Sequence, residues 1–515
     1  MLKTYLQRNL KILLIFLISF YFFAGSFEMF AKKYTIEGAP KNPKIVFATL
    51  FGQALSGVRY AAERFYEDTG ITVSVQGMPY YSHKIWIESQ FLSQAPPAMM
   101  LIDGQGQLVS TYGAQGLLVP FGKHLDEKNP FSGNNKPWKD EFKYVPLAAA
   151  MDINGNMWCI PYTSYAVAFL YNEKFTKKYG VVPPKTWEQF VENGVKVKKM
   201  GGTAYAIALR TSDAQSGWIS NIILGCLMRS KIPEINLVHA PGWKFNPYDP
   251  NSTKGEKITL SEWIVAFHKG IIDPSKAPAY KVCMKMMKNF SRMWCNDYMG
   301  LTGTEVFNMF TRGNSTYYFE GTWGLNQITI TQKIMKIINP EKSFTWAAFP
   351  FPPITKETTD LVTAGGVNQN TNMRGRIFIP KQKNKWIEKA ALLFAQYLTT
   401  PEMCREVFKH SQLYDLPVIK GVKGKPGTGA LIADNKFASI LPFVHLYGYD
   451  VEARVHYETL NQEYFSGQIN MDTYLKRISL NQKQSLKRLV RLYYKQLNFK
   501  FLKKELGKDY DEWVK

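Results

Sequence analysis

The chain contains no HExxH, no Walker A loop, no G-x-S-x-G elbow and no paired Cys/His cluster. Those gaps leave the common hydrolase, nucleotide-binding and zinc chemistries without their residues. The seven histidines are dispersed, and no two stand three or four apart as helical metal ligands would. The five cysteines (Cys159, Cys226, Cys283, Cys295, Cys404) form no CxxC pair and are too few and scattered for a disulfide framework. They read mostly as small buried hydrophobes, with a single disulfide the alternative. Acidic residues are scarce beside basic ones, 41 against 64, for a formal charge of +23. The lysines are spread along the chain and not gathered in a stripe, which argues against nucleic acid and leaves an anionic membrane surface as the better beneficiary.

What is present suits a globular protein of more than one lobe: 515 residues, 45% hydrophobic and 20% charged. The first 31 residues differ from the rest. Lys3, Arg8 and Lys11 precede an apolar run at 12–23 (ILLIFLISFYFF), then small residues at Ala24, Gly25, Ser26 and Ala31. That order is the pattern of a secretory signal peptide, and an uncleaved anchor is the alternative. No Cys lies there to carry a lipid. The expected location is exported, periplasmic or cell-surface, tethered if the segment stays in place.

Residues 32–43 read as a polar linker. The strand KIVFATL at 44–50 leads into a helix whose face is Leu55, Val58, Ala61, Ala62 and Phe65. Gly70 ends that helix, and Ile71, Val73 and Val75 alternate as a second strand. A strand, helix, strand unit implies parallel pairing and an α/β lobe. AMMLID at 98–103 and AVAFLY at 166–171 are further buried strands. Thr186 and Gln189 predict a capping box, and Thr400-Pro401-Glu402 predicts another helix start. Trp386, Ala390, Leu393, Phe394 and Tyr397 define one helix face; Met471, Tyr474, Leu475 and Ile478 define a later one. The loop GVKGKPGTG at 421–429 lacks Walker spacing and reads as a plain loop.

Six segments stand in a recognisable order. MWCIPYTSYAVAFLYN at 157–172 comes first, followed by PPKTW at 183–187 and YAIALR at 205–210. FTRGNSTYYFEGTW at 310–323, WAAFPFPP at 346–353 with TAGGV at 363–367, and 379–401 complete the series. Together they resemble the family 1 extracellular solute-binding proteins, which include the maltodextrin-binding protein, over roughly residues 44–485. The resemblance implies an α/β, two-lobed type II periplasmic-binding-protein fold with discontinuous lobes joined by three crossovers. These crossovers are expected near 164–167, 362–367 and 413–418. Lobe 1 is then 44–164 with 367–413, and lobe 2 is 165–362 with 418–485. A basic amphipathic extension, 486–515, exceeds the family pattern; it either lies on a membrane or packs on the second lobe.

By the same resemblance the chain binds a small solute, most readily a carbohydrate, in an interlobe cleft. It closes by hinge bending and delivers the solute to the permease subunits of an ABC importer, as a monomer without cofactor, metal or catalysis. The competing classes are a surface sensor or adhesin and an exported glycan-active enzyme. A sugar site needs aromatic plates and planar polar groups. Trp323, in the family's Gly-x-Trp segment, is the leading candidate, with core packing as its alternative. Tyr162 and Tyr165 flank the first crossover, and Asp213 and Trp218 follow YAIALR, read as a strand, in what reads as a polar loop. Gln53 and Asp103 stand after strands whose carboxyl ends face ligands in open α/β sheets. Gly366 allows close backbone approach, and Tyr447 and Arg454 fall on a late segment that lines the cleft in relatives.

Overall fold

The computed structural model describes residues 35–79, 82–103, 106–151, 156–209, 215–237, 258–362, 372–425, 428, 446, 450–494 and 497–514. The chain divides into two compact units. The first comprises Met1–Glu141 and Arg376–Gln412; the second comprises Phe142–Gly375 and Leu413–Lys515. The polypeptide therefore passes between them three times.

The first unit is built on the parallel pairing that the sequence implies. Strand Lys44–Thr49 pairs in parallel with Thr72–Gly77 on one side, Phe47 opposite Val75, and with Met99–Asp103 on the other. The Gly375–Phe378 strand lies beyond Met99–Asp103. Helix Leu55–Thr69 buries Val58, Ala61, Ala62 and Phe65 and stops at Gly70, whose φ of 73° is the left-handed cap that glycine supplies without strain. A Cβ on Gly57 would stand 2.2 Å from the Val407 carbonyl oxygen, so glycine is what lets this helix lie against helix Pro401–His410. Helix Lys385–Leu398 inserts Phe394 against Phe47 and Phe65, while Trp386 and Leu393 of the expected face are only half-buried.

In the second unit, strand Val167–Asn172 runs antiparallel between Tyr317–Gly321 and Trp346–Phe349. Phe169 is fully buried at its centre, ringed by Phe190, Phe290, Phe319, Phe349 and Phe351. A small separate sheet brings three distant segments together. Thr163–Tyr165 is its middle strand, antiparallel to Leu416–Pro417 and to Asn372–Met373. Tyr205–Leu209 of the YAIALR segment are buried, yet they form no strand: among them Tyr205 alone makes bridges, to Trp294 and Tyr317. Only half of the expected capping box forms at Thr186. Its hydroxyl accepts from Gln189 N at 3.2 Å, whereas the Gln189 side chain accepts from Lys185 N instead.

The C-terminal extension packs on the second unit. Helix Met471–Leu492 continues past the expected limit at 485, and helices Phe499–Leu506 and Tyr510–Val514 follow. Leu486, Val490, Leu497, Leu502, Leu506 and Trp513 all enter the same core as Phe169. Trp513 meets Phe267 edge-on, and Lys269 pairs with Glu505 at 2.6 Å. All five cysteines are buried thiols, none of them in a disulfide. The apolar run at 12–23 lies outside the described residues, among which no helix is long and apolar enough to cross a membrane.

Candidate functional site

Strand register places the first two aromatic candidates. Val167 stands opposite Gly321, and Thr322 N donates to Ala166 O at 3.0 Å. Tyr165 ends strand Thr163–Tyr165 just before Val167, and Trp323 lies in the turn that follows strand Tyr317–Gly321. Their rings meet edge-on at 5.6 Å. Trp218 joins them, 5.9 Å from Tyr165 and 5.9 Å from Trp323. It comes from the first turn of helix Gln215–Leu227, not from the polar loop expected of it. Gln215, the first described residue of that helix, is fastened on both sides: it accepts from the Tyr205 hydroxyl at 3.0 Å and donates to Phe319 O at 2.9 Å. All three rings are half-buried, so each keeps an accessible portion over an apolar base.

Beside Trp323 lies a polar cluster that the sequence did not advertise. Arg374 Nη1 reaches both carboxylate oxygens of Asp415, at 2.7 and 2.9 Å, and the Thr322 hydroxyl donates to Asp415 at 3.0 Å. The Arg374 guanidinium sits 5.8 Å from the centre of the Trp323 ring, within cation–π range. Burial holds the Asp415 carboxyl above its ordinary range, against the opposing pull of Arg374. A pair this buried is costly to break: removing one partner leaves an uncompensated charge, worth about 3–5 kcal/mol.

Glu320 forms the other support. Its carboxylate accepts from Gly321 N at 2.7 Å and from the Tyr318 hydroxyl at 3.0 Å, with a further hydrogen bond from Trp323. Dense surrounding protein pushes its pKa up to about 7 even though part of the side chain is exposed; those hydrogen bonds and the Arg374 charge restrain the rise. Two glycines make room. A Cβ on Gly321 would lie 2.3 Å from the Trp323 ring, and one on Gly324 would lie 2.4 Å from the Glu320 carboxyl carbon. The Gly-Thr-Trp-Gly run thus fixes one indole orientation against the Glu320 carboxylate.

The remaining candidates are placed elsewhere. Tyr162 is fully buried and presents no accessible face. Gln53 and Asp103 belong to the first unit, following or ending the paired parallel strands at their carboxyl ends, both partly exposed. The Gln53 carbonyl accepts from Gln412 N at 2.9 Å. Arg454 is exposed on the first turn of helix Val451–Phe465, an element that supplies none of the three rings. Asp213, Gly366 and Tyr447 lie outside the described residues.

Two α/β units, each assembled from discontinuous segments and one carrying an aromatic platform at its strand ends, define a binding protein. The chain belongs to the bacterial extracellular solute-binding protein family, whose model matches residues 60–437. The family is extracellular, which implies export. The fold is similar to a family 1 extracellular solute-binding protein from Bifidobacterium longum subsp. infantis, with a TM-score of 0.58 and 17% identity over 86% of this chain and 99% of that one. It is also similar to the apo-form of RafE from Streptococcus pneumoniae, with a TM-score of 0.59 and 14% identity over 86% and 98%. In sequence, the sn-glycerol-3-phosphate-binding periplasmic protein UgpB of Brucella abortus is 31% identical over 118 residues. That stretch is 22% of this chain and 25% of the relative, so the chain spans about a quarter of the curated relatives it matches.

Proposed function

We propose that this protein captures a small carbohydrate on the Tyr165–Trp218–Trp323 platform and delivers it to an ABC-type importer. The observation that carries this reading is the platform itself: three half-buried rings, converging from three elements, beside the Arg374–Asp415 ion pair. Apolar faces of a sugar ring stack on such plates. Support comes also from structural neighbours, one described as a chitin oligosaccharide binding protein and others as complexes with raffinose and with stachyose. The reading requires no covalent chemistry and no cofactor.

The test is a thermal-shift screen of the full chain against sugars, polyols, sugar phosphates and amino acids, followed by calorimetry. A ligand present at 100 times its Kd, binding only the folded state, adds about 2.7 kcal/mol of stability. Trp323→Ala is expected to weaken the hit by about 2 kcal/mol or more, as loss of a central aromatic anchor does. A hit unaffected by Trp323→Ala removes the platform from the reading. A response confined to sugar phosphates turns it towards the ligand named for the Brucella relative.

A further inference from the structure

Immediately after Gly324 the chain enters helix Leu325–Ile338, which has two unlike sides. Leu325, Ile328 and Gln332 are buried against the second unit. On the opposite side Ile330, Ile334, Ile337 and Ile338 are 41%, 50%, 80% and 70% exposed. Spacings of four, three and one place these isoleucines in one stripe along the helix. Apolar residues scattered singly over a surface need no explanation, but a contiguous stripe on one helix does. Lys333 borders the stripe, Lys336 lies further round on the same flank, and Lys342 follows its end, all three exposed. From Leu325 to Thr345 the sequence holds three lysines and a single acid, Glu341.

We propose that this helix face is a docking surface for an anionic lipid bilayer. The isoleucines would enter the boundary between headgroups and acyl chains, and the lysines would meet the lipid phosphates, which is the division of labour of an interfacial amphipathic helix. Charge selects this occupant over a second copy of the chain. With a formal charge of +23, two copies repel, whereas an anionic surface attracts every one of them. The surface is separate from the aromatic platform, and the proposal holds whatever solute the platform takes.

The experiment uses the full chain carrying Ile337→Cys, labelled with an environment-sensitive fluorophore. The five native cysteines are buried, so the introduced thiol takes the label. The label reports its own position, so attachment through any other segment does not move it. Vesicles of equal parts phosphatidylglycerol and phosphatidylcholine are expected to shift its emission to the blue, and pure phosphatidylcholine to leave it unchanged. Lys333→Gln and Lys336→Gln, checked for an unaltered melting midpoint, are each expected to weaken the response roughly fivefold. No shift on anionic vesicles overturns the proposal, as does an equal shift on both lipids. A shift that grows with protein concentration in the absence of vesicles assigns the face to a second copy and likewise overturns it.

Discussion

Glu320 connects the chemistry of the platform to pH. Its pKa of about 7 exceeds the ordinary 4.5 because burial disfavours the charged form. Between those two values the folded chain holds a proton that the unfolded chain has lost. The associated stability is fully present below pH 4.5 and fades as pH rises through 7. The size is at most about 4 kcal/mol, since each tenfold change in proton affinity is worth about 1.4 kcal/mol. Urea denaturation at a series of pH values should show stability falling across this window, and Glu320→Gln should flatten the fall. A wild-type profile that rises over the same window would contradict the assignment. The aromatic residues of this site were legible in the sequence because they flank strands: Tyr165 precedes AVAFLY, and Trp323 follows YYFEG within two residues. Arg374 and Asp415 were not. They are 41 residues apart, and an ion pair between distant segments leaves no periodicity to read. Glu320 was hidden differently, since a lone acid near a strand end reads as surface until the surrounding rings are placed.

At the scale of elements, periodic faces proved the most readable. The helix face from Val58 to Phe65 and the later face with Tyr474 and Ile478 are buried as spaced, because burial of one stripe is what drives those helices to form. Apolar content without alternation misled at YAIALR, where Tyr205 is wedged between Trp294 and Tyr317 and its flanking residues are buried without laddering. The C-terminal extension was ambiguous because basic amphipathic helices look alike whether they meet lipid or protein. Here the apolar side is spent on the second unit's core, through Leu502, Leu506 and Trp513. Ending the chain at Leu492 removes these three fully packed side chains, each worth about 1.5–3 kcal/mol when buried. A lower melting midpoint and new binding of a hydrophobic dye are the expected outcomes; an unchanged midpoint would mean that the extension is merely appended.

At the scale of the molecule, the first unit depends on segments far apart in the chain. Its core joins Phe47 and Phe65 to Phe394 and Tyr397, yet all of Phe142–Gly375 intervenes. Closing so long an excursion delays the contacts that reward it. A chain ended at Gly375 lacks Phe394 and helix Pro401–His410 altogether, and its N-terminal portion is expected to be unfolded. Limited proteolysis should then cut within residues 44–141 while the full chain resists; equal resistance would show that the first unit folds without its second segment.

The buried thiols give the same excursion a further cost. Burial pushes the Cys283 and Cys295 thiols above their ordinary pKa, and all five cysteines are buried outside any disulfide, so the finished fold keeps them from an oxidant. An unfolded chain has no such shelter. In an oxidising compartment its five thiols are free to cross-link, and every second spent waiting for residues 376–412 is a second of exposure. For an exported protein built this way, rapid folding is its antioxidant.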